Sequence, residues 1–192
     1  MHAAYAAGTL DLPAAIAQAV ESENRLSSAE RRGALEAFTR EVIEPARFLE
    51  ALCFLAAVRS AGIPLVIISA TCSFVVRAAA ASLGVPAEAV IAVDLEEIEG
   101  RFSGRILGTP SFQAGKIVRL QTYLNEFNAE RSANAPITLS DVFFLTDSAN
   151  DLPLVRAAGG AALVNPDETL LAYGRAHALE VLAWQPAPCC ED

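Results

Sequence analysis

V-F-F-L-T-D-S-A-N-D, residues Val142 to Asp151, is a short run of apolar and β-branched side chains that stops at a carboxylate. Val142 to Thr146 read as a buried strand, Asp147 ends it, and Asp151 follows at the start of Leu-Pro-Leu-Val. Two acids so spaced fall at the carboxyl edge of a sheet, where open α/β sheets keep their ligands. Hard oxygen ligands at such an edge suit a Mg²⁺ that keeps part of its water and takes a phosphate oxygen as partner. The alternative is that Asp147, Ser148 and Asn150 are turn and N-cap residues leading into the next helix. Spacing alone leaves both readings open.

The segments around this stretch continue one pattern. Pro64 to Ile68, P-L-V-I-I, is β-branched and lacks alternation, as expected of a strand covered on both faces. It runs into Ser69-Ala70-Thr71-Cys72-Ser73 and then a helix to Leu83, stopped by Gly84. Ser69 is therefore expected at a strand tip facing a helix amino end, where a hydroxyl and backbone N–H groups can bind an anion or simply cap the helix. Val90 to Val93 is a further strand, and Glu96 to Gly108 has the glycine punctuation of a hairpin. Lys116 opens a helix, Ile117 to Phe127, after the break at Gly115; its ammonium can stay solvated or reach a phosphate as a point charge. After Asp151 come a helix at 152–158, Gly159-Gly160, a strand at 161–164 ending in Asn165-Pro166-Asp167, a helix near 169–178 and a last strand at 181–184. From Ala46 onward helices and strands alternate, which means a parallel sheet covered by helices.

Upstream, Leu12 to Glu23 is Ala-rich with Pro13 near its start, and Ser27-Ser28-Ala29-Glu30 is a capping box for a helix running to about Val42. Pro45 interrupts, and a helix from about Ala46 to Ser60 follows. The division expected is a partial helical cap at 1–48 and an α/β core at 49–192.

Composition narrows the function. Of 192 residues, 53% are hydrophobic and 19% charged, a well-cored globular balance. A net charge of −9 argues against nucleic acid or an anionic membrane surface, since both need a Lys/Arg excess. The longest uncharged run, Ser60 to Val76, is too short and too polar to span a bilayer. Met1 to Leu10 lacks the basic start of an export signal. The four cysteines, at 53, 72, 189 and 190, have no metal-type spacing, so free thiols in a reducing cytoplasm are expected. His2 and His177 belong to no recognisable catalytic triad, and neither G-x-S-x-G, a P-loop nor a dinucleotide fingerprint is present.

I-I-S-A-T at 67–71, G-K at 115–116, T-D-S-A-N-D-L-P-L at 146–154 and V-N-P-D at 164–167 together resemble the haloacid-dehalogenase (HAD) superfamily of phosphohydrolases, in its phosphoserine-phosphatase-like branch with a helical cap, which includes histidinol-phosphatase-type enzymes. The resemblance implies a three-layer Rossmann-like α/β core and Mg²⁺-dependent hydrolysis of a small phosphorylated metabolite. It implies that Ser69 hydrogen-bonds the phosphoryl group and that Lys116 neutralises it. Asp147 would ligate Mg²⁺, and Asp151 would hold the metal shell or orient Lys116. Such chemistry relies on positioning and charge stabilisation at the transferring phosphoryl group.

The nucleophile motif of that family, D-x-D-x-T/V at the end of the first strand, is not found in the 192 residues. Gly8-Thr9-Leu10-Asp11 is no substitute, because no apolar strand and no D-x-D precede it; Y-x-x-G-T-L-D resembles the cap of this branch instead. On that alignment the chain starts inside the cap, without the central first strand and its nucleophile. No catalytic residue is assigned, and inactivity as written is expected. The alternative is a non-catalytic phosphate-ligand or interaction protein on the same fold. A missing central strand removes about three buried side chains at about 1.5–3 kcal/mol each and roughly four or five ladder hydrogen bonds at about 1 kcal/mol each, against about 5–15 kcal/mol for a whole domain. Two outcomes are expected: the strands at Leu65–Ile68 and Val142–Thr146 pair directly, or the chain is a truncated reading of a longer protein. Substrate identity and oligomeric state are not legible.

Overall fold

A computed structural model of the chain describes residues 4–5, 9–131 and 135–186. His2, Gly8, Cys189 and Cys190 lie outside the described residues. The described cysteines, Cys53 and Cys72, are free thiols. Contacts divide the chain into two compact units, one of residues 1–11 and 108–183, the other of 12–107 and 184–192.

The second unit starts with α1 (Leu12–Glu23), which buries Leu12, Ile16 and Val20, one face at helical spacing. The capping box forms as read: Ser27 Oγ accepts the Glu30 N–H and the Glu30 carboxylate accepts the Ser27 N–H, opening α2 (Ser28–Phe38). Beyond Phe38 the coil widens into a π turn, Thr39–Ile43, in which the Glu44 N–H reaches Thr39 O. Pro45, which has no N–H to donate, follows this turn. Phe48 is extended, so α3 begins at Leu49 and runs to Ser60 rather than starting at Ala46.

Strand β1 covers Ile67–Cys72 and pairs in parallel with β2 (Val90–Val93), with α4 (Ser73–Ser82) packed on both. Val76, Ala80, Val85, Ala89, Val90 and Ala92 form the core there. Strands β3 (Leu95–Ile98) and β4 (Arg101–Ile106) make the expected hairpin. One residue ties it to the helices twice: Asn24 Nδ2 donates to Phe102 O at 2.7 Å and Asn24 Oδ1 accepts the Phe102 N–H at 2.9 Å. The buried Arg31 guanidinium sits 4.5 Å from the Phe102 ring centroid and donates to Gly100 O.

The first unit is two successive βαβ turns. After α5 (Gly115–Arg131), β5 (Phe143–Thr146) pairs in parallel with β6 (Gly160–Val164), and β6 with β7 (Glu180–Leu182). The connecting helices are α6 (Leu152–Ala157) and α7 (Glu168–Ala176). Leu154, Leu163 and Leu170 are fully buried, one from each of α6, β6 and α7.

The parallel α/β architecture is as expected, but its ladder is not one sheet: β1–β2, β3–β4 and β5–β6–β7 are separate. Direct pairing of β1 with β5, one of the two outcomes expected, is not among the ladders of the described residues. β1 also continues past Ile68 to Cys72, with a shift of register between those residues.

Gly159 has a specific steric task. A Cβ there would lie 1.8 Å from Ser140 O, so only glycine lets the turn into β6 pass the backbone before β5. Gly159→Ala should therefore destabilise the protein by about 1–3 kcal/mol, as overpacking does; urea midpoints of the two proteins measure it.

Candidate functional site

The strand F-F-L-T delivers Thr146 to the carboxyl edge of β5 as a buried hydroxyl. Thr146 Oγ1 donates to Asp151 Oδ2 at 2.8 Å and accepts the Ser148 N–H at 3.2 Å. Ser148 in turn caps the short turn Ala149–Asp151, its Oγ accepting the Asn150 N–H at 3.3 Å. Ser148 and Asn150 thus do take turn and cap roles. Asp151 does not: its side chain makes no cap bond to α6 and faces inward.

What Asp151 faces is Lys116. The Lys116 Nζ lies 2.6 Å from Asp151 Oδ1, and both side chains are buried, at 5% and 7% exposure. The ammonium is the sole polar partner of that oxygen among the described residues. Lys116 reaches this position because α5 begins one residue earlier, at Gly115, where a Cβ would lie 2.1 Å from Pro110 O. The G-K pair is a packing requirement before it is a chemical one.

Asp147 stands beside this pair with its side chain exposed. Partial desolvation is the main cause that holds its carboxyl above the ordinary aspartate range; Asp151 and Asp167 push the same way, while a hydrogen bond from its own backbone N–H and the Lys116 charge oppose them. Asp167, at the end of β6, closes the loop from the other side. Its N–H donates to Asp147 O at 2.9 Å, its Oδ2 accepts the Ala149 N–H at 2.6 Å, and its Oδ1 accepts the Leu170 N–H at 2.8 Å, capping α7.

Of the expected residues, then, Lys116, Asp147 and Asp151 come together in the first unit. Ser69 belongs to the second unit, where it lies within β1 instead of at a strand tip, because the strand runs on to Cys72; its Oγ accepts the Thr71 N–H at 3.2 Å. Sequence reasoning missed Tyr5, whose carbonyl accepts Asn150 Nδ2 at 2.7 Å and whose ring lies 5.9 Å from that of Phe112. It also gave Asp167 no role, although an acid ending the strand next to β5 must fall on the same sheet edge.

Among the described residues no group of three or more His, Cys, Asp and Glu side chains is arranged to hold a metal. A Mg²⁺ asks less, since it binds through one or two carboxylates and keeps several waters. Asp147 fits that demand: an accessible carboxylate beside two other carboxylates is relieved by a divalent cation. Asp167 does not, as both its oxygens are taken by backbone N–H groups.

A family model described as haloacid dehalogenase-like hydrolase matches residues 1–156. The chain belongs to this family. Among relatives of the HAD chain, histidinol-phosphatase from Neisseria meningitidis serogroup C (strain 8013) is 36% identical over 111 residues, 57% of this chain and 47% of the relative. The chain thus spans about half the length of that curated relative. A solved structure of a protein with unknown function from Bordetella pertussis Tohama I superposes with a TM-score of 0.82 at 31% identity, covering 95% of this chain and 78% of that one. A solved phosphoserine phosphatase, described as a phospho-aspartyl intermediate analogue, superposes at 0.61 with 16% identity over 96% of this chain and 78% of that one. That last likeness establishes the shared HAD fold.

Two outcomes follow from the electrostatics. Lys116→Met strands Asp151 as an uncompensated buried charge and should cost about 3–5 kcal/mol, most of it regained in Lys116→Met/Asp151→Leu; chemical denaturation of the single and double variants reads both. For Asp147 the raised pKa means that the native state favours the protonated form, so its stabilising effect is complete in acid and is lost as pH rises through the native pKa. In metal-free buffer Asp147→Asn should match the wild type at about pH 3 and exceed it in stability at about pH 7, as compared by urea midpoints.

Proposed function

We propose that this HAD-family chain carries the phosphate and metal machinery of a Mg²⁺-dependent phosphomonoesterase acting on a small phosphorylated metabolite. The observation that carries the reading is the buried Lys116–Asp151 pair beside the exposed Asp147 at the end of β5. In this reading Asp147 ligates the metal directly, and Asp151 holds the Lys116 ammonium in one position. Lys116 then meets an arriving phosphoryl group as a fixed point charge, with no side-chain reorganisation at the moment of binding. Mg²⁺, when bound, would neutralise charge on the phosphoryl oxygens. For Ser69 the proposal rests on its motif, I-I-S-A-T, which supplies a hydroxyl donor for phosphate.

No D-x-D occurs in the 192 residues, so the reading assigns this chain binding without covalent turnover. The same observation favours a second reading, a phosphate-ligand protein on the HAD fold that performs no hydrolysis. The genomic sequence immediately upstream of Met1 separates the two: an in-frame apolar strand followed by D-x-D-x-T supports the phosphatase, and its absence the binding protein.

Isothermal titration of the 192-residue chain with inorganic phosphate should give Mg²⁺-dependent binding, weakened at least about tenfold by Asp147→Asn or by Lys116→Met, consistent with loss of a charge-assisted contact. Failure to bind with Mg²⁺ present would remove the proposal. Mg²⁺-dependent hydrolysis of p-nitrophenyl phosphate, lost in Asp147→Asn, would instead show that turnover proceeds without the missing motif.

A further inference from the structure

The loop from Asp147 to Asp151 is held at every residue. Asp147 O accepts the Asp167 N–H, and the Ala149 N–H donates to Asp167 Oδ2. Asp151 is gripped by Thr146 Oγ1 and Lys116. The two residues between, Ser148 and Asn150, are met by Tyr5: its phenol lies beside the Ser148 side chain, and its carbonyl accepts Asn150 Nδ2 at 2.7 Å. Gln113 Nε2 adds a longer contact to Asn150 Oδ1 at 3.4 Å.

Tyr5 is suited to this by its own fixation. It is half-buried, and its ring is tilted against Phe112, two residues after Pro110 and on the segment that leads into Gly115 and Lys116. One side chain therefore touches both stretches of chain that supply the charged groups. Its phenol also lies within electrostatic reach of Asp147, Asp151 and Asp167.

We infer that Tyr5 is a positioning residue of the acid site: through Ser148 and Asn150 it sets the loop conformation that carries Asp147 and Asp151. This rests on the metal and phosphate reading given above. Tyr5, upstream of α1, is then part of the site's construction without being one of its charged groups. A tyrosine serves here where phenylalanine would not, because the ring supplies the packing and the hydroxyl supplies the grip on Ser148.

Tyr5→Phe keeps the ring and the backbone carbonyl and deletes only the hydroxyl. In the full chain it should weaken Mg²⁺ binding, measured by titration with the metal alone, by about three- to tenfold, the worth of one hydrogen bond. Ser148→Ala should do the same, and the double variant should be no worse than either single one, because both remove one interaction. Amide hydrogen exchange at 148–151 should speed up in Tyr5→Phe while the Leu163 amide is unchanged. An unchanged Mg²⁺ affinity, additive losses in the double variant, or exchange that rises equally at Leu163 would each overturn the inference while leaving the site reading intact. If the wild type binds no Mg²⁺, the site reading fails; unaltered exchange at 148–151 in Tyr5→Phe then refutes the clamp as well.

Discussion

The ion pair between Lys116 and Asp151 is the constraint on which the first unit depends. A lysine and an aspartate taken out of water cost several kcal/mol each unless their charges meet with good geometry and the remaining lone pairs are filled. Here each charge has a partner at close range. The Nζ is 2.6 Å from one carboxylate oxygen and the Thr146 hydroxyl donates to the other at 2.8 Å. Making these contacts requires α5 to start against Pro110 O, which admits only a glycine at 115, and requires the turn after β5 to fold Asp151 back toward the strand. A charged pair is poor ground for stability alone, since apolar side chains of similar volume pack as well or better.

The two acids have opposite environments. Asp151 has its charge matched by Lys116 and its second oxygen satisfied by Thr146. Asp147 is exposed beside two like charges, which add to partial desolvation in disfavouring its ionised form. Two carboxylates four residues apart are thereby differentiated by their surroundings, one buried in an ion pair and the other open beside it. The cap roles that these residue types often play fall to Ser148 and to Asp167.

Each parallel piece, β1–β2 and β5–β6–β7, has its own helices and its own buried residues. A βαβ element packs its helix on its own strands, so its core is largely local.

Much of this was legible in the chain itself. The alternation of helix and strand, the capping box at Ser27, the hairpin near 95–106 and the glycines at 115 and 159 are local properties, set by side-chain periodicity and by which residues a turn can accept. The segment V-F-F-L-T-D-S-A-N-D located the acids for the same reason, because a strand end fixes where the next side chain falls. Tertiary structure alone decided that Lys116 pairs with Asp151, that Asp167 closes the loop through its backbone N–H and one carboxylate oxygen, and that Asn150 reaches the Tyr5 carbonyl. Those contacts join positions separated by 18 to 145 residues. No periodicity reaches across such distances.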